Sequence, residues 1–316
     1  MAQSMAARPP AIPARRRLTP HTRRALRNGL LFISPWIIGI ILFTVYPLLA
    51  SLYYSFTAYD VFTPPKWVGL RNYNDVFFRD DNVRLALRNT FQFAFTFIPL
   101  AQILAIGTAM LLNAKVKALS LFRTFFYLPS IVPAVASTIV WIWLLNPQFG
   151  IINILLKSVG IPGPGWFTSV QWAMPAYLLM SLWGIGGTVV IYLAALQDVP
   201  QELLEAAHLD GANGWHRFRN VTLPMISPVI FFNLVMGVIG ALQVFAQVFI
   251  LTGTYGAAGP GNRLLFYSLY LYRQSFQSFR MGYGSALAWI LFIIIMIMTL
   301  IIFKTSARYV YYAGEK

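Results

Sequence analysis

Long apolar runs separated by short polar breaks dominate this chain. Six stretches, at about 29–52, 90–113, 124–145, 172–197, 225–252 and 283–303, contain no Asp, Glu, Lys, Arg or His. A bilayer core about 30 Å thick takes roughly 20 such residues as helix. A charged side chain at a helix centre would cost about 2.5–3.5 kcal/mol on the insertion scale. The pattern therefore predicts an all-α membrane protein with six transmembrane helices. Residues 1–28 carry no apolar period and read as a disordered basic tail. Residues 29–305 form the six-span body and 306–316 a short C-terminal tail. The first apolar run exceeds the roughly 7–15-residue core of a cleavable signal peptide.

Charge orients the spans. Seven arginines and no acid precede the first span: Arg8, Arg15, Arg16, Arg17, Arg23, Arg24 and Arg27. The positive-inside bias places that tail in the cytosol, and six crossings return the C-terminus there too. The loop with Lys115, Lys117 and Arg123 then lies inside, as does 198–224, whereas 146–171 lies outside with Lys157 as its one charge. Arg263, Arg273 and Arg280 run against the bias in the outer loop 253–282. The long outer loop 53–89 mixes both signs and carries Pro64-Pro65 and Trp67-Val68-Gly69-Leu70, which suggest a packed cap.

Composition narrows the class. The chain is 58% hydrophobic and 10% charged, against about 25% charged in soluble domains. Seven units of its net charge of +15 sit ahead of the first span, as an orientation signal or a lipid-attracting tail does, so membrane lipid is an expected partner and nucleic acid is not. The lack of cysteine removes disulfides, thiol catalysis and Cys-based metal sites.

The missing chemistry is equally informative. Spans without ionisable groups argue against proton relays, voltage sensors and intramembrane proteases. No His-Glu-x-x-His, G-x-S-x-G or phosphate-loop motif is present, so a non-catalytic chain with no metal, no cofactor and no ATP hydrolysis of its own is expected. His208 and His216 lack the further ligands that a metal site needs. The polar side chains in the spans are neutral: Gln92, Thr96, Gln102, Ser130, Ser137, Thr138, Ser181, Thr188, Asn233, Gln243 and Gln247. Singly, each reads as an interhelical hydrogen bond. Together, they suit an uncharged polyhydroxyl solute better than an ion.

Between the fourth and fifth spans lies a compact polar segment. Asp198-Val199-Pro200-Gln201 predicts a helix start, with Asp198 as cap and Gln201 in capping-box spacing. The helix Gln201–Leu209 presents Leu203, Leu204 and Ala207 on one side. Gly211 permits the left-handed turn that ends it, and Asn213 can cap a second short helix carrying Trp215, Arg217, Phe218 and Arg219. An amphipathic helix resting on the inner leaflet is the plain alternative, but Glu202, Glu205 and Asp210 would oppose an anionic surface.

These residues resemble a known family. Glu205-Ala206-Ala207, Asp210-Gly211-Ala212 and Leu223-Pro224 match the EAA loop of ABC importer permeases, with Val221 at its isoleucine position. The resemblance covers about 29–305 and includes Ser34-Pro35-Trp36, Val68-Gly69-Leu70-Arg71-Asn72-Tyr73, Asn89-Thr90, Leu128-Pro129 and Gly282-Tyr283-Gly284-Ser285-Ala286-Leu287. It is similar to the carbohydrate-uptake branch, and there to the first (MalF-like) of two paired permeases. The chain departs from the branch where Leu251-Thr252-Gly253-Thr254-Tyr255-Gly256-Ala257-Ala258-Gly259-Pro260 expands a usual Thr-x-Gly-Gly-Pro.

The resemblance implies a type I ABC importer in a bacterial or archaeal plasma (inner) membrane. Its partners would be a second six-helix permease, two cytosolic ATPase subunits holding ATP and Mg, and an extracytoplasmic solute-binding protein. Glu205, Ala206, Ala207, Asp210, Gly211, Leu223 and Pro224 would form the ATPase-coupling loop within 198–224. Family cavity positions fall at Trp183, Gly184, Gly187, Gly237, Ala241 and Val244, with Gln243 and Gln247 as hydrogen-bonding neighbours. A sugar or oligosaccharide is the expected substrate, and glycerol phosphate or another polar solute the alternative. An ATPase-independent secondary transporter or channel, or a membrane scaffold, is a reading from another class.

Overall fold

The computed structural model describes residues 20–114, 119–255, 258–306 and 310–311. The chain divides into two compact units, Met1–Tyr53 and Tyr54–Lys316. In the first, α1 (Pro20–Ile40) passes through a π-helical turn at Ile41–Val45 into α2 (Tyr46–Ser55), whose last two residues belong to the second unit. Residues 20–28, expected as tail, are thus helical. Pro20 suits a first helical position, where the missing amide costs nothing, and Arg23, Arg24, Ala25, Leu26 and Arg27 all favour helix. Residues 1–19 of the expected tail lie outside the described residues, as do 307–309 and 312–316 of the C-terminal one.

The second unit opens with the packed cap expected from 53–89. Strands β1 (Thr57–Ala58) and β2 (Lys66–Trp67) pair antiparallel, and Phe56 stacks on Trp67 at 5.5 Å between ring centres. The short helix α3 (Arg71–Asn74) buries Asn72, whose amide donates to the Ser55 and Thr57 carbonyls at 2.9 Å each. A π-helical turn, Asp75–Arg79, then leads to Asp80, whose side chain accepts from the Asn82 amide and starts α4 (Asp81–Asn113). At 33 residues, α4 is about 50 Å long. It exceeds the apolar run 90–113 because the capped turns ahead of that run are helical as well.

The third predicted span is not one straight helix. Helices α5 (Leu119–Ile131) and α6 (Ala134–Leu144) meet at 101°. Pro133 is the residue that caps α6. It has no amide to donate and disfavours helix at Val132 before it, so the apolar run breaks there. The fourth span bends by 47° between α8 (Ala173–Trp183) and α9 (Gly186–Gln197). Four described helices are long and apolar enough to cross a membrane, or six if each bent pair is one span.

The loop 146–171 holds an unexpected helix, α7 (Ile151–Ser158). Its buried Asn153 donates to the Pro147 and Pro164 carbonyls and accepts from the Trp166 indole at 2.7 Å. After α9 come α10 (Gln201–Leu209), α11 (Gly214–Arg217), a π-helical turn at Phe218–Thr222 and α12 (Leu223–Met225). The fifth span consists of α13 (Ser227–Leu242) and α14 (Ala246–Tyr255), followed by α15 (Tyr267–Tyr272), a π-helical turn at Arg273–Gln277 and α16 (Met281–Ser306). Residues 256 and 257 of the expanded loop lie outside the described residues.

Two apolar clusters hold these helices. The larger centres on Phe93, Tyr177 and Phe266, whose ring centres lie 5.0–5.5 Å apart. The smaller joins Ala105, Ala109 and Leu112 of α4 to Val189, Tyr192, Leu193 and Leu196 of α9. Lipid tails are as apolar as leucine, so close packing, not water exclusion, favours such contacts within the bilayer. A polar clamp ties the start of α4 to the last helices. The Asp80 Oδ2 accepts from the Tyr270 and Tyr283 hydroxyls, each at 2.5 Å. Burial, and then the Asp80 carboxylate, push the Tyr270 phenol above its ordinary range, so it stays a donor at neutral pH.

Candidate functional site

The first candidate feature is the segment 198–224. All of α10 is exposed except the half-buried Leu204 and Ala207. Leu204 packs against the smaller cluster, whose members include Leu196, Val199 and Tyr192. That anchoring turns Glu202, Glu205 and Ala206 to the surface. Leu209 is 88% exposed and Trp215 64% exposed, so apolar side chains flank the acids. Together they form an exposed surface with an acidic centre.

Its ends differ from expectation in one respect. Pro200 occupies the N-cap of α10 with no side-chain cap, and Asp198 is instead the C-cap of α9. The capping box fails because α9 runs on to Gln197, which leaves Asp198 on the preceding helix. The other end agrees with expectation. Gly211 has φ +80°, the Ala212 amide donates to the Ala207 carbonyl at 2.9 Å, and Gly211 donates to His208 at 3.0 Å. The Asn213 side chain accepts from the His216 amide at 2.9 Å and starts α11. Leu223 and Pro224 fall on α12, where the Pro224 carbonyl accepts from the Ser227 hydroxyl at 2.6 Å.

The second feature is a cavity of about 380 Å³ among α4, α8, α9 and α13. Five of the expected path residues line it: Gly184, Gly237, Ala241, Val244 and Gln247. Trp183, Gly187 and Gln243 do not. The Trp183 ring packs edge-on against Trp141 at 6.1 Å, Gly187 faces open space, and Gln243 caps the end of α13. The helix bend at 184–185 separates Trp183 from Gly184, a change that spacing along a straight helix cannot anticipate.

The lining also includes Phe93, Phe97, Gln102, Tyr177, Ser181, Thr188 and Asn233, and no charged residue. Gln102, Ser181, Thr188 and Asn233 stood out in the sequence as polar residues in spans, although nothing there assigned them to the cavity. Tyr177 had no such signal. Its hydroxyl donates to Gln247 Oε1 at 3.2 Å, and Tyr192 donates to Gln102 Oε1. These two bonds cross between helices. The other polar side chains mostly correct the expectation of interhelical bonding. Thr96, Ser130, Thr138, Ser181 and Asn233 donate to carbonyls three or four residues back in their own helices. Short polar side chains satisfy themselves locally in this way, which leaves the longer Gln and Tyr groups to bridge helices.

Comparison with known proteins gives a consistent picture. The family described as binding-protein-dependent transport system inner membrane component matches residues 103–311. The chain is 43% identical over 290 residues to the probable ABC transporter permease protein YesP of Bacillus subtilis (strain 168), covering 91% of this chain and 93% of that one. It is 34% identical to the lactose transport system permease protein LacF of Rhizobium radiobacter, covering 88% and 94%. It is 31% identical to the probable starch degradation products transport system permease protein AmyD of Thermoanaerobacterium thermosulfurigenes, covering 89% and 96%. In fold it is similar to a chain of a bacterial ABC transporter that imports the acidic polysaccharide alginate. The TM-score there is 0.78 at 24% identity, covering 90% of this chain and 98% of that chain.

Proposed function

Because the chain belongs to the family of binding-protein-dependent transport system inner membrane components, we propose that it is the membrane permease of an ATP-driven importer for a sugar or oligosaccharide. It forms half of the translocation path beside a second six-helix permease. Two ATPase subunits, carrying ATP and Mg, dock in the cytosol on α10, and a solute-binding protein delivers the substrate from outside. Both termini lie in the cytosol, as the arginine-rich N-terminus favours.

The observation that carries this reading is the exposed helix α10, anchored by Leu204 and ended by the left-handed Gly211. Glu205 is the charged anchor in the ATPase cleft. Ala206 and Ala207 are small enough for close seating. A push on α10 reaches the cavity through packed groups: Leu204 rests on the smaller cluster, and that cluster contains Tyr192, whose hydroxyl is bonded to Gln102 of the cavity wall. ATP hydrolysis on the partner chains thereby gates the opening of the path.

The cavity supports a neutral polyhydroxyl substrate. Its amides and hydroxyls offer donors and acceptors, and Phe93, Phe97 and Tyr177 offer ring faces for the apolar sides of a sugar. A glycerol phosphate would require a cation that this lining lacks. LacF and AmyD, whose names specify lactose and starch degradation products, support the same substrate class.

The test is reciprocal purification from native membranes combined with sugar uptake. A Glu205→Lys chain should still insert and bind the second permease, lose the ATPase subunits and lose uptake. Normal uptake by this variant would remove the coupling role from α10.

A further inference from the structure

A second cavity, of about 370 Å³, lies between α5 and α9 and is unused by the transport reading. We propose that this groove binds the headgroup of an anionic phospholipid, with Arg123 as its anchor. The walls are mostly apolar: Leu112 comes from the last turn of α4, Phe126 from α5, and Val189, Val190 and Leu193 from α9. A Cβ added at Gly186 would lie 2.1 Å from the Phe126 carbonyl oxygen, so α5 and α9 meet backbone to backbone there. From that contact the groove follows α9 as far as Gln197, three residues short of α10.

Arg123 is the one charged side chain in this lining. Its Nε is buried without a hydrogen-bond partner, and its guanidinium makes no ion pair among the described residues. A guanidinium against apolar walls with an unmet donor calls for an anionic acceptor. A phosphodiester fits, because two of its oxygens match the planar fork of donors. The apolar walls then suit the upper part of an acyl chain. Zwitterionic lipids carry the same phosphate, but their ammonium group offsets its charge. The groove should therefore select phosphatidylglycerol-like lipids, as basic pockets between membrane helices do. Arg123 is also the last charge before the apolar run 124–145, the depth at which headgroups lie. The groove is separate from the solute cavity, and its lipid does not depend on which solute that cavity carries.

The experiment is native mass spectrometry of the intact purified complex with phosphatidylglycerol, phosphatidylcholine or inorganic phosphate added. The wild type should retain phosphatidylglycerol at least about fivefold better than phosphatidylcholine. Arg123→Gln should abolish that preference, whereas Arg123→Lys, which keeps the charge and loses the fork, should bind the lipid more weakly but still prefer phosphatidylglycerol. Val190→Trp, which fills the groove and leaves the cation in place, should lose retention of both lipids. If Arg123→Gln fails to assemble, Val190→Trp decides the matter. Equal phosphatidylglycerol retention in the wild type and the assembled Arg123 and Val190 variants would overturn the proposal. So would displacement of the lipid by equimolar inorganic phosphate, which would reveal a free-anion site. A photoactivatable phosphatidylglycerol should label peptides of α5 or α9. Labelling confined to a companion chain would mean that a protein partner covers the groove, and would also overturn the proposal.

Discussion

Gly186 and Gly187 are neighbours of the same residue type, yet their surroundings differ sharply. A Cβ on Gly186 would strike the Phe126 carbonyl oxygen at 2.1 Å, whereas a Cβ on Gly187 meets nothing within 4 Å. Backbone cannot yield as a side chain can, so Gly186→Ala must push α5 away from α9. We expect it to destabilise the chain by about 1–3 kcal/mol, the usual cost of overpacking. Gly187→Ala should leave both stability and uptake near wild type. Thermal unfolding of the two variants in detergent, followed by intrinsic tryptophan fluorescence, checks the contrast. Equal midpoints would mean that the close approach is absent. Gly211 poses a conformational problem instead of a steric one, with open space around it and φ at +80°. Gly211→Ala should cost about 1–2 kcal/mol of left-handed strain and weaken ATPase retention. Gly211→Asn should retain most of it, because Asn tolerates that region better, and paired pull-downs read the difference.

Among elements, α10 has a narrow hold on the bundle. Leu204 joins it to the cluster around Leu196, Val199 and Tyr192, and the Tyr192 hydroxyl reaches Gln102 in the cavity wall. Tyr192→Phe keeps the ring packing and removes one interhelical hydrogen bond, a loss of about 0.6 kcal/mol by the average for membrane helices. Stability should hardly change. The ATPases should remain bound while uptake per ATP hydrolysed falls, since the link between α10 and the cavity has been cut. An unchanged ratio of uptake to hydrolysis would show that the push travels by another route. The sequence made these elements legible to different degrees. Runs without charge marked the spans, because the hydrocarbon penalty acts on every residue of a run. Gly211 and Asn213 marked their turns, because each acts within its own few residues. Pro133 was visible, but a 101° bend depends on how α5 and α6 are held by their neighbours. Helix α7 was missed because its eight residues follow a loop and rest on Asn153 meeting Trp166 and Pro164. The Asp198 cap failed because two helices competed for one residue, and the longer one took it.

At the scale of the molecule, α10 and the cavity are separate places in one chain, so the docking and solute roles proposed for them should fail separately. Five of the eight residues that the resemblance assigned to the path line the cavity, and the helix bend at 184–185 falls between Gly184, which lines it, and Gly187, which does not. Tyr177 escaped because an aromatic residue in an apolar run carries no signal until Gln247 is set beside it. This division gives the last prediction. Ala241→Trp places a large ring in a cavity of about 380 Å³ without touching α10. The complex should assemble with both ATPases, and ATP hydrolysis should persist, while uptake falls at least about a hundredfold because the path is filled. Glu205→Lys should show the reverse pattern of defects: an open cavity and no bound ATPase. Parallel measurements of ATPase retention, hydrolysis and labelled-sugar uptake in membrane vesicles distinguish the two. If Ala241→Trp transports normally, the cavity lies off the path. If it also sheds the ATPases, the two regions form one structural unit, and the division of labour between them is wrong.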